Sequence, residues 1–466
     1  MPRETSIAAL LGLGAALPLA LALYGFTVDD ALISARVASH LASGQGYRFN
    51  PGGPVVDAVT PLGFAHLLAA GGVADPLGML ERARVLGLVG WLAAAAYLGA
   101  LIGRPTLRTL AVLALLALSS PLGAWAGAGM ETGLVTALAT VALRPDRWGA
   151  LAAGLCAGWR PELLPWALTL AVGRALPERG SQPSLGGLAS AAALAVGPAV
   201  MVAIARQVTF GTPSPLSLLA KPSDLEHGLR YALSALLLGG IPLLLIAPGA
   251  IVRAGREARV LVAAVAAHLV ALILAGGDWM ALFRLLVPVL PTALLAAARL
   301  APHASATWFF GRALAAAGFS LVVLVTTGWP ARAVLANRQA LIERARPLLG
   351  RETCVATLDA GWVGAADPGP ILDLAGVTDP VVAALPGGHT TKRIPEALLT
   401  GRGADVWVLL LAPGAKVEPD WRDSLFARGV EQRLAALPLA EELTPSGLLP
   451  LGGTAQSYLV LRRGSE

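Results

Sequence analysis

Two adjacent carboxylates, Asp29 and Asp30, stand just beyond a long apolar run from Ile7 to Leu23. A carboxylate held at a membrane surface can accept a proton as a general base or ligate a cation. Two like charges side by side also raise one pKa, which favours a base. The competing reading is that one of them caps a helix over Ala31–Leu41. Arg36 follows, and serves either in a surface ion pair or as a holder of phosphate or of an Asp. His40 lies four residues on, on the same helix face. The run Gly44-Gln45-Gly46-Tyr47-Arg48-Phe49-Asn50-Pro51-Gly52-Gly53 is rich in turn residues. Its GxG precedes no strand–helix pattern, so dinucleotide binding is rejected.

Six more charged residues sit where apolar blocks are expected to end on the outer side: Glu131, Arg160, Glu162, Lys221, Asp278 and Arg284. Charges so close to hydrocarbon are costly and mark functional sites by default. Each also has a plain structural reading. Glu131 can cap its helix, Arg160 can pair with Glu162, Asp278 can pair with Arg284, and Lys221 can snorkel to headgroups. Their convergence on one leaflet favours a substrate site.

The elements that must position these residues follow from composition. Of 466 residues, 56% are hydrophobic and 14% charged, with mean hydropathy +0.68. A soluble domain carries roughly 25% charged residues. The excess of Ala, Leu, Val and Gly comes in blocks, which points to a polytopic helical membrane protein. An ordinary cytosolic enzyme, a disordered chain and a fibrous repeat are excluded. The net charge is +6, but the arginines lie in short loops, so membrane orientation explains them and nucleic acid is not an expected partner. Cys156 and Cys354 make no disulfide framework and no zinc motif.

Crossings are expected near 6–23, 83–101, 107–120, 131–143, 148–158, 162–173, 187–206, 231–251, 258–275, 284–300 and 312–330, eleven in all. A cleaved signal peptide competes for the first block, but the run is long and lacks a clear cleavage site, so a retained helix is expected. Pro161 and Pro165 split the pair 148–158 and 162–173 into half-depth helices or one kinked span. A cytoplasmic N-terminus then leaves Arg104, Arg108, Arg144, Arg147, Arg174, Arg179, Arg253, Arg256 and Arg259 inside, as the positive-inside rule requires. Segment 61–73 is read as a re-entrant or surface helix. Long outer loops are expected at 24–82 and 207–230. After Pro330 the chain becomes charged and carries short strand-like runs at Cys354–Leu358, Ile371–Leu374, Asp405–Leu411 and Tyr458–Arg462. This predicts a membrane module over 1–330 and an extracytoplasmic α/β domain over 331–466.

An ordered series of motifs runs through these elements. It comprises Asp29-Asp30-Ala31-x-Ile33-x-x-Arg36, the Gly44–Gly52 run, Thr60-Pro61-Leu62, Gly129-Met130-Glu131-Thr132, and Arg160-Pro161-Glu162. It continues with Phe210-Gly211-Thr212-Pro213 to Ala220-Lys221, and Gly276-Gly277-Asp278-Trp279-Met280 to Phe283-Arg284. It ends with Leu372-Asp373-Leu374-Ala375-Gly376-Val377-Thr378-Asp379-Pro380 and Gly388-His389. The set resembles the GT-C membrane glycosyltransferases, in particular the mycobacterial terminal arabinofuranosyltransferases and related bacterial homologues. Two departures stand out: the family's P-N-T lacks its Asn around Pro213–Ser217, and Phe64 stands where Trp is common.

The resemblance implies an inverting transfer of a sugar from a polyprenyl-phosphate donor to a glycan, lipid or protein acceptor, on the outer face of the cytoplasmic membrane. On that reading Asp29 is the base and Asp30 its helper, with a divalent cation (Mg or Mn) on the pair allowed but not required. Lys221 and Arg284 are the phosphate candidates, and Arg36, Arg160, Glu162, Asp278 and Glu131 are further substrate-binding candidates. Asp373 and His389 either shape an acceptor cleft or serve as turn residues. A transporter or flippase, and a non-catalytic envelope-assembly protein, are the competing classes. The first is expected to show paired broken helices, and the second has no need of Asp29 and Asp30.

Overall fold

The structure, a computed structural model, describes residues 3–177, 182, 184–239, 248–350 and 353–464. Arg179 and part of the crossing expected at 231–251 lie outside them. Among the described residues, five helices have the length and composition of a membrane span: Glu4–Ala22, Pro76–Ile102, Leu185–Phe210, Arg256–Ala275 and Ala306–Ala345. The pair Leu107–Ala117 and Ser120–Ala126, bent by 53°, gives a sixth if it crosses as one. This count is smaller than the eleven crossings expected. Several apolar blocks fold as helices of 10 to 13 residues, among them Thr132–Val141, Arg147–Trp159, Leu164–Ala175 and Leu290–Leu300. At 1.5 Å per residue these are too short to span alone. Their ends coincide with helix breakers. Arg160 is extended before the 3-10 turn Pro161–Leu163, so 147–175 is two helices. In segment 61–73 only Phe64–Ala69 is helical, six residues long and far below a span.

The chain forms two compact units. The helical unit comprises Met1–Thr27, Ala83–Ala205 and Ser223–Arg332; the other comprises Val28–Arg82, Arg206–Pro222 and Ala333–Glu466. The second unit thus gathers most of both long loops with the C-terminal region, and its boundary is not a single cut near residue 330.

The second unit is built on a five-stranded mixed sheet of order β2-β1-β3-β5-β4. The strands are β1 Val355–Thr357, β2 Ile371–Asp373, β3 Val406–Leu410, β4 Leu443–Pro450 and β5 Ser457–Arg463. The first three pair in parallel, with Val355 opposite Ile371 and Val406, and β5 and β4 run antiparallel. Every residue of β3 is buried, the continuous apolar pattern of a central strand. The strand that the apolar pattern does not foreshadow is β4. Its sequence, LTPSGLLP, has Pro445 and Gly447, and the register shifts between them. Such residues are tolerated at an edge and hide the strand signal.

Candidate functional site

Asp29 and Asp30 open the helix Asp29–Ala42, whose N-cap position is Val28. Neither side chain caps it. Instead Asp29 reaches the N-terminus of another helix, Ala360–Ala366. Its Oδ2 accepts from the Gly361 amide at 2.8 Å and its Oδ1 from the Trp362 amide at 2.9 Å. The residue at that helix's own cap position, Asp359, turns to Arg428 (2.8 Å) and the Tyr458 hydroxyl (2.9 Å). Asp29 therefore satisfies orphan amides that Asp359 does not.

Glycine permits this contact. A Cβ on Gly361 would lie 2.1 Å from the Asp29 carbonyl oxygen, and one on Gly364 would lie 3.0 Å from the Arg36 Cδ. Burial pushes the Asp29 carboxyl up to about 6, against the pull of Arg338 at 3.8 Å. Burial also raises Asp359, yet the Arg428 guanidinium holds it below the usual carboxylate range.

Arg36 is 1% exposed. Its Nε donates to the Phe49 carbonyl, Nη1 to those of Gly364 and Asp367, and Nη2 to that of Gly369. A guanidinium filled by backbone carbonyls leaves no fork for a phosphate. The substrate role expected of Arg36 is therefore corrected: it fastens the Phe49 loop and the segment 364–369 to its own helix. Asn50 completes this fastening, its amide side chain both accepting from and donating to the backbone of Ile371 in β2. His40 likewise serves the loop, with Nδ1 at 2.9 Å from the Arg48 carbonyl.

Asp30 has a different setting. It is 28% exposed, and its Oδ2 lies 3.8 Å from Lys221 Nζ, itself 28% exposed. Lys221 follows the short helix Leu216–Ala220. Leu216 and Ala220 pack with Ala383, and the Ser217 and Thr60 hydroxyls meet at 2.9 Å. A buried Asp57–Arg206 pair at 2.8 Å pins the start of this segment. Neither Asp57 nor Arg206 was singled out from the sequence; both look like loop or interface charges there. The product is a carboxylate and an ammonium, partly open to solvent, held by a frame of buried contacts.

The pair Asp29 and Asp30 does not suit a divalent cation. Both Asp29 oxygens are engaged with amides, and Lys221 and Arg338 each stand 3.8 Å from a carboxylate of the pair. Among the described residues, no group of three or more His, Cys, Asp and Glu gathers as metal ligands would.

The helical unit holds the remaining charged candidates. Arg160 bridges Glu131 and Glu162, each at 2.7 Å. Glu131 sits at the N-cap position of Thr132–Val141 but makes no side-chain cap. Arg284 meets both oxygens of Asp278, at 2.8 and 3.2 Å. This return requires the backbone to reverse. Leu282 and Phe283 take φ of 59° and 53°, which costs bulky residues strain. The Trp125 indole, donating to the carbonyls of Ala281 and Leu282, holds that turn.

Three carboxylates and two guanidiniums leave this set with a net negative charge. Arg284 is therefore neutralised rather than free to attract phosphate. Glu131 Oε2 and Arg160 Nη2 are buried with no hydrogen-bond partner among the described residues.

Asp373 is a turn residue of the sheet-bearing unit. Its oxygens accept from the Ala375 and Thr378 amides and the Thr378 hydroxyl. Burial pushes it up to about 6. Asp379 caps Pro380–Ala383. His389 is half-buried in the turn that follows. The contacts of Asp373 and Asp379 are those of fold-forming turns.

No family model matches the chain, and no curated protein matches it in sequence. The crystal structure of ArnT from Cupriavidus metallidurans bound to undecaprenyl phosphate is similar to it in structure. The TM-score is 0.53 at 13% sequence identity, over 98% of this chain and 99% of that one. The two proteins share a fold from end to end.

Proposed function

We propose that the chain is an inverting membrane glycosyltransferase that takes a sugar from a polyprenyl-phosphate-linked donor at the outer face of the cytoplasmic membrane. The reading rests on one juxtaposition above all: Asp30 and Lys221, partly exposed and 3.8 Å apart. It is supported by the fold shared with a protein whose structure holds undecaprenyl phosphate, and by the ordered motifs of the sequence.

The chemistry needs two groups. An acceptor hydroxyl attacks the anomeric carbon while the bond from that carbon to the phosphate oxygen breaks. The electron pair leaves on the phosphate, and the hydroxyl proton goes to a carboxylate. Asp30 is the base in this scheme, because Asp29 is committed to the amides of Gly361 and Trp362. Lys221 stabilises the charge that develops on the departing phosphate. Asp29 is a positioning residue: by anchoring the first turn of its helix it fixes the backbone from which Asp30 projects. No metal enters the scheme.

The test is transfer by the purified full chain in proteoliposomes, given a polyprenyl-phospho-sugar and a hydroxyl acceptor. Polyprenyl-phospho-arabinofuranose, implied by the sequence resemblance, is the first donor to try. The expected products are polyprenyl phosphate and a glycoside of inverted configuration. A retained anomeric configuration would overturn the single-displacement scheme. Movement of intact donor across the bilayer without bond cleavage would favour a flippase instead.

A further inference from the structure

One cavity among the described residues involves none of the charged candidates above. It is a cleft of about 890 Å³ within the helical unit, between the helices Leu164–Ala175 and Arg256–Ala275. Leu168, Val172, Leu176, Val260 and Ala263 make its walls apolar. Gly173 and Val260 are in close contact, a Cβ on the glycine falling 2.9 Å from the valine side chain. The helices therefore touch there and leave the cleft open beside that contact. The volume lies in the range of ligand sites, about 300–1,000 Å³.

Among the described residues that line it, the charged ones, Arg256 and Arg259, are at one end and of one sign. Arg256 is fixed there, donating to the carbonyls of Leu176 and Arg174 at the end of the facing helix. A guanidinium at a helix C-terminus is favourably placed and held still. Arg259, one turn further along, is exposed and makes no ion pair with any described residue. Two like charges at i and i+3 repel unless an anion lies between them. The nearest acid in sequence, Glu257, is drawn to Arg299 at 3.8 Å. The cleft thus offers an apolar trough and a cationic rim with no ion-pair partner among the described residues, which is the complement of an anionic amphiphile.

We propose that this cleft binds one anionic membrane phospholipid, its phosphate at Arg256 and Arg259 and an acyl chain between the two helices. The site shares no residue with the Asp30–Lys221 pair and does not depend on the transfer reaction. It differs from general headgroup attraction, which any exposed arginine supplies, in needing both the rim and the trough.

The experiment is native mass spectrometry of the full chain, released from detergent after equilibration with equimolar dioleoyl phosphatidylglycerol and dioleoyl phosphatidylcholine. Wild-type protein is expected to retain one phosphatidylglycerol in preference to phosphatidylcholine. Arg259→Gln should lower that retention about tenfold. Ala263→Trp, which fills the trough from an exposed position and keeps every charge, should lower it similarly. Arg147→Gln, an exposed arginine on a different helix, should leave it unchanged. Equal retention of the two lipids overturns the proposal. So does an Arg147→Gln effect as large as that of Arg259→Gln, or retention undiminished by Ala263→Trp. Should Ala263→Trp fail to fold, the contrast between Arg259→Gln and Arg147→Gln decides alone.

Discussion

The two sets of charged residues differ in what their partners are. In the helical unit, acids and arginines answer one another: Arg160 with Glu131 and Glu162, Arg284 with Asp278. In the sheet-bearing unit, Asp29 and Arg36 answer the backbone, through amides and carbonyls. That second arrangement leaves Asp30 and Lys221 as a loose pair, 3.8 Å apart and partly exposed. A charge near hydrocarbon is expensive in either setting. Cost alone therefore does not mark a reacting group. On the proposed reading, the sharper mark is a charge that neither backbone nor counter-ion fully engages.

The largest expected effect tests that contrast within two neighbouring residues. Asp30→Asn should reduce sugar transfer by about 10²–10⁴-fold with the melting temperature unchanged. Asp29→Asn should keep transfer per folded molecule within about tenfold of wild type and lower stability instead. The reverse order of activities would hand the base to Asp29.

Next comes Lys221→Met, for which transfer should drop by about 10²-fold in single-turnover assays. A drop confined to KM would assign Lys221 to binding rather than to the leaving phosphate.

In the helical unit the loss should be of stability. Arg160→Met strands Glu131 without its counter-ion, and breaking such a buried pair costs about 3–5 kcal/mol. Denaturant titration of the full chain in detergent measures it. A cost below about 1 kcal/mol would show that the pair is well solvated and no scaffold.

The smallest effect is a pH dependence. The folded Asp29 carboxyl, raised from 3.8 to about 6, binds its proton more tightly than an unfolded one. Its contribution to stability is full below pH 3.8 and fades as pH rises through about 6, on the order of 3 kcal/mol in all. Asp373 acts in the same direction. Asp359, held low, loses its contribution only as pH falls below the ordinary carboxylate range. Stability measured from pH 4 to 7 should fall, and Asp29→Asn should flatten part of that slope. An unchanged slope would remove Asp29 from the account.

Much of the molecule was legible in its residues. The apolar blocks pointed to a multi-helix membrane protein, and all five strands follow the change of composition after Pro330, four of them at the strand-like runs. Asp278 and Arg284 were readable as a pair because they are close in sequence and opposite in charge. Arg160 and Glu162 were readable for the same reason. β4 was hidden because Pro445 and Gly447 break the alternation by which a strand is recognised. The number of spans is not legible in the same way, since an apolar block of 12 residues looks the same whether it crosses a bilayer or packs against its neighbours.

Periodicity and composition are local, and so they fixed what each segment is. Asp57 and Arg206, 149 residues apart, meet only in the folded chain. So do Asp29 and the amides of Gly361 and Trp362, 332 and 333 residues away. Nothing within a window of sequence distinguishes Asp29 from Asp30. Tertiary packing distinguished them: successive side chains on a helix point about 100° apart, and only one of the two faced a helix end in need of a cap.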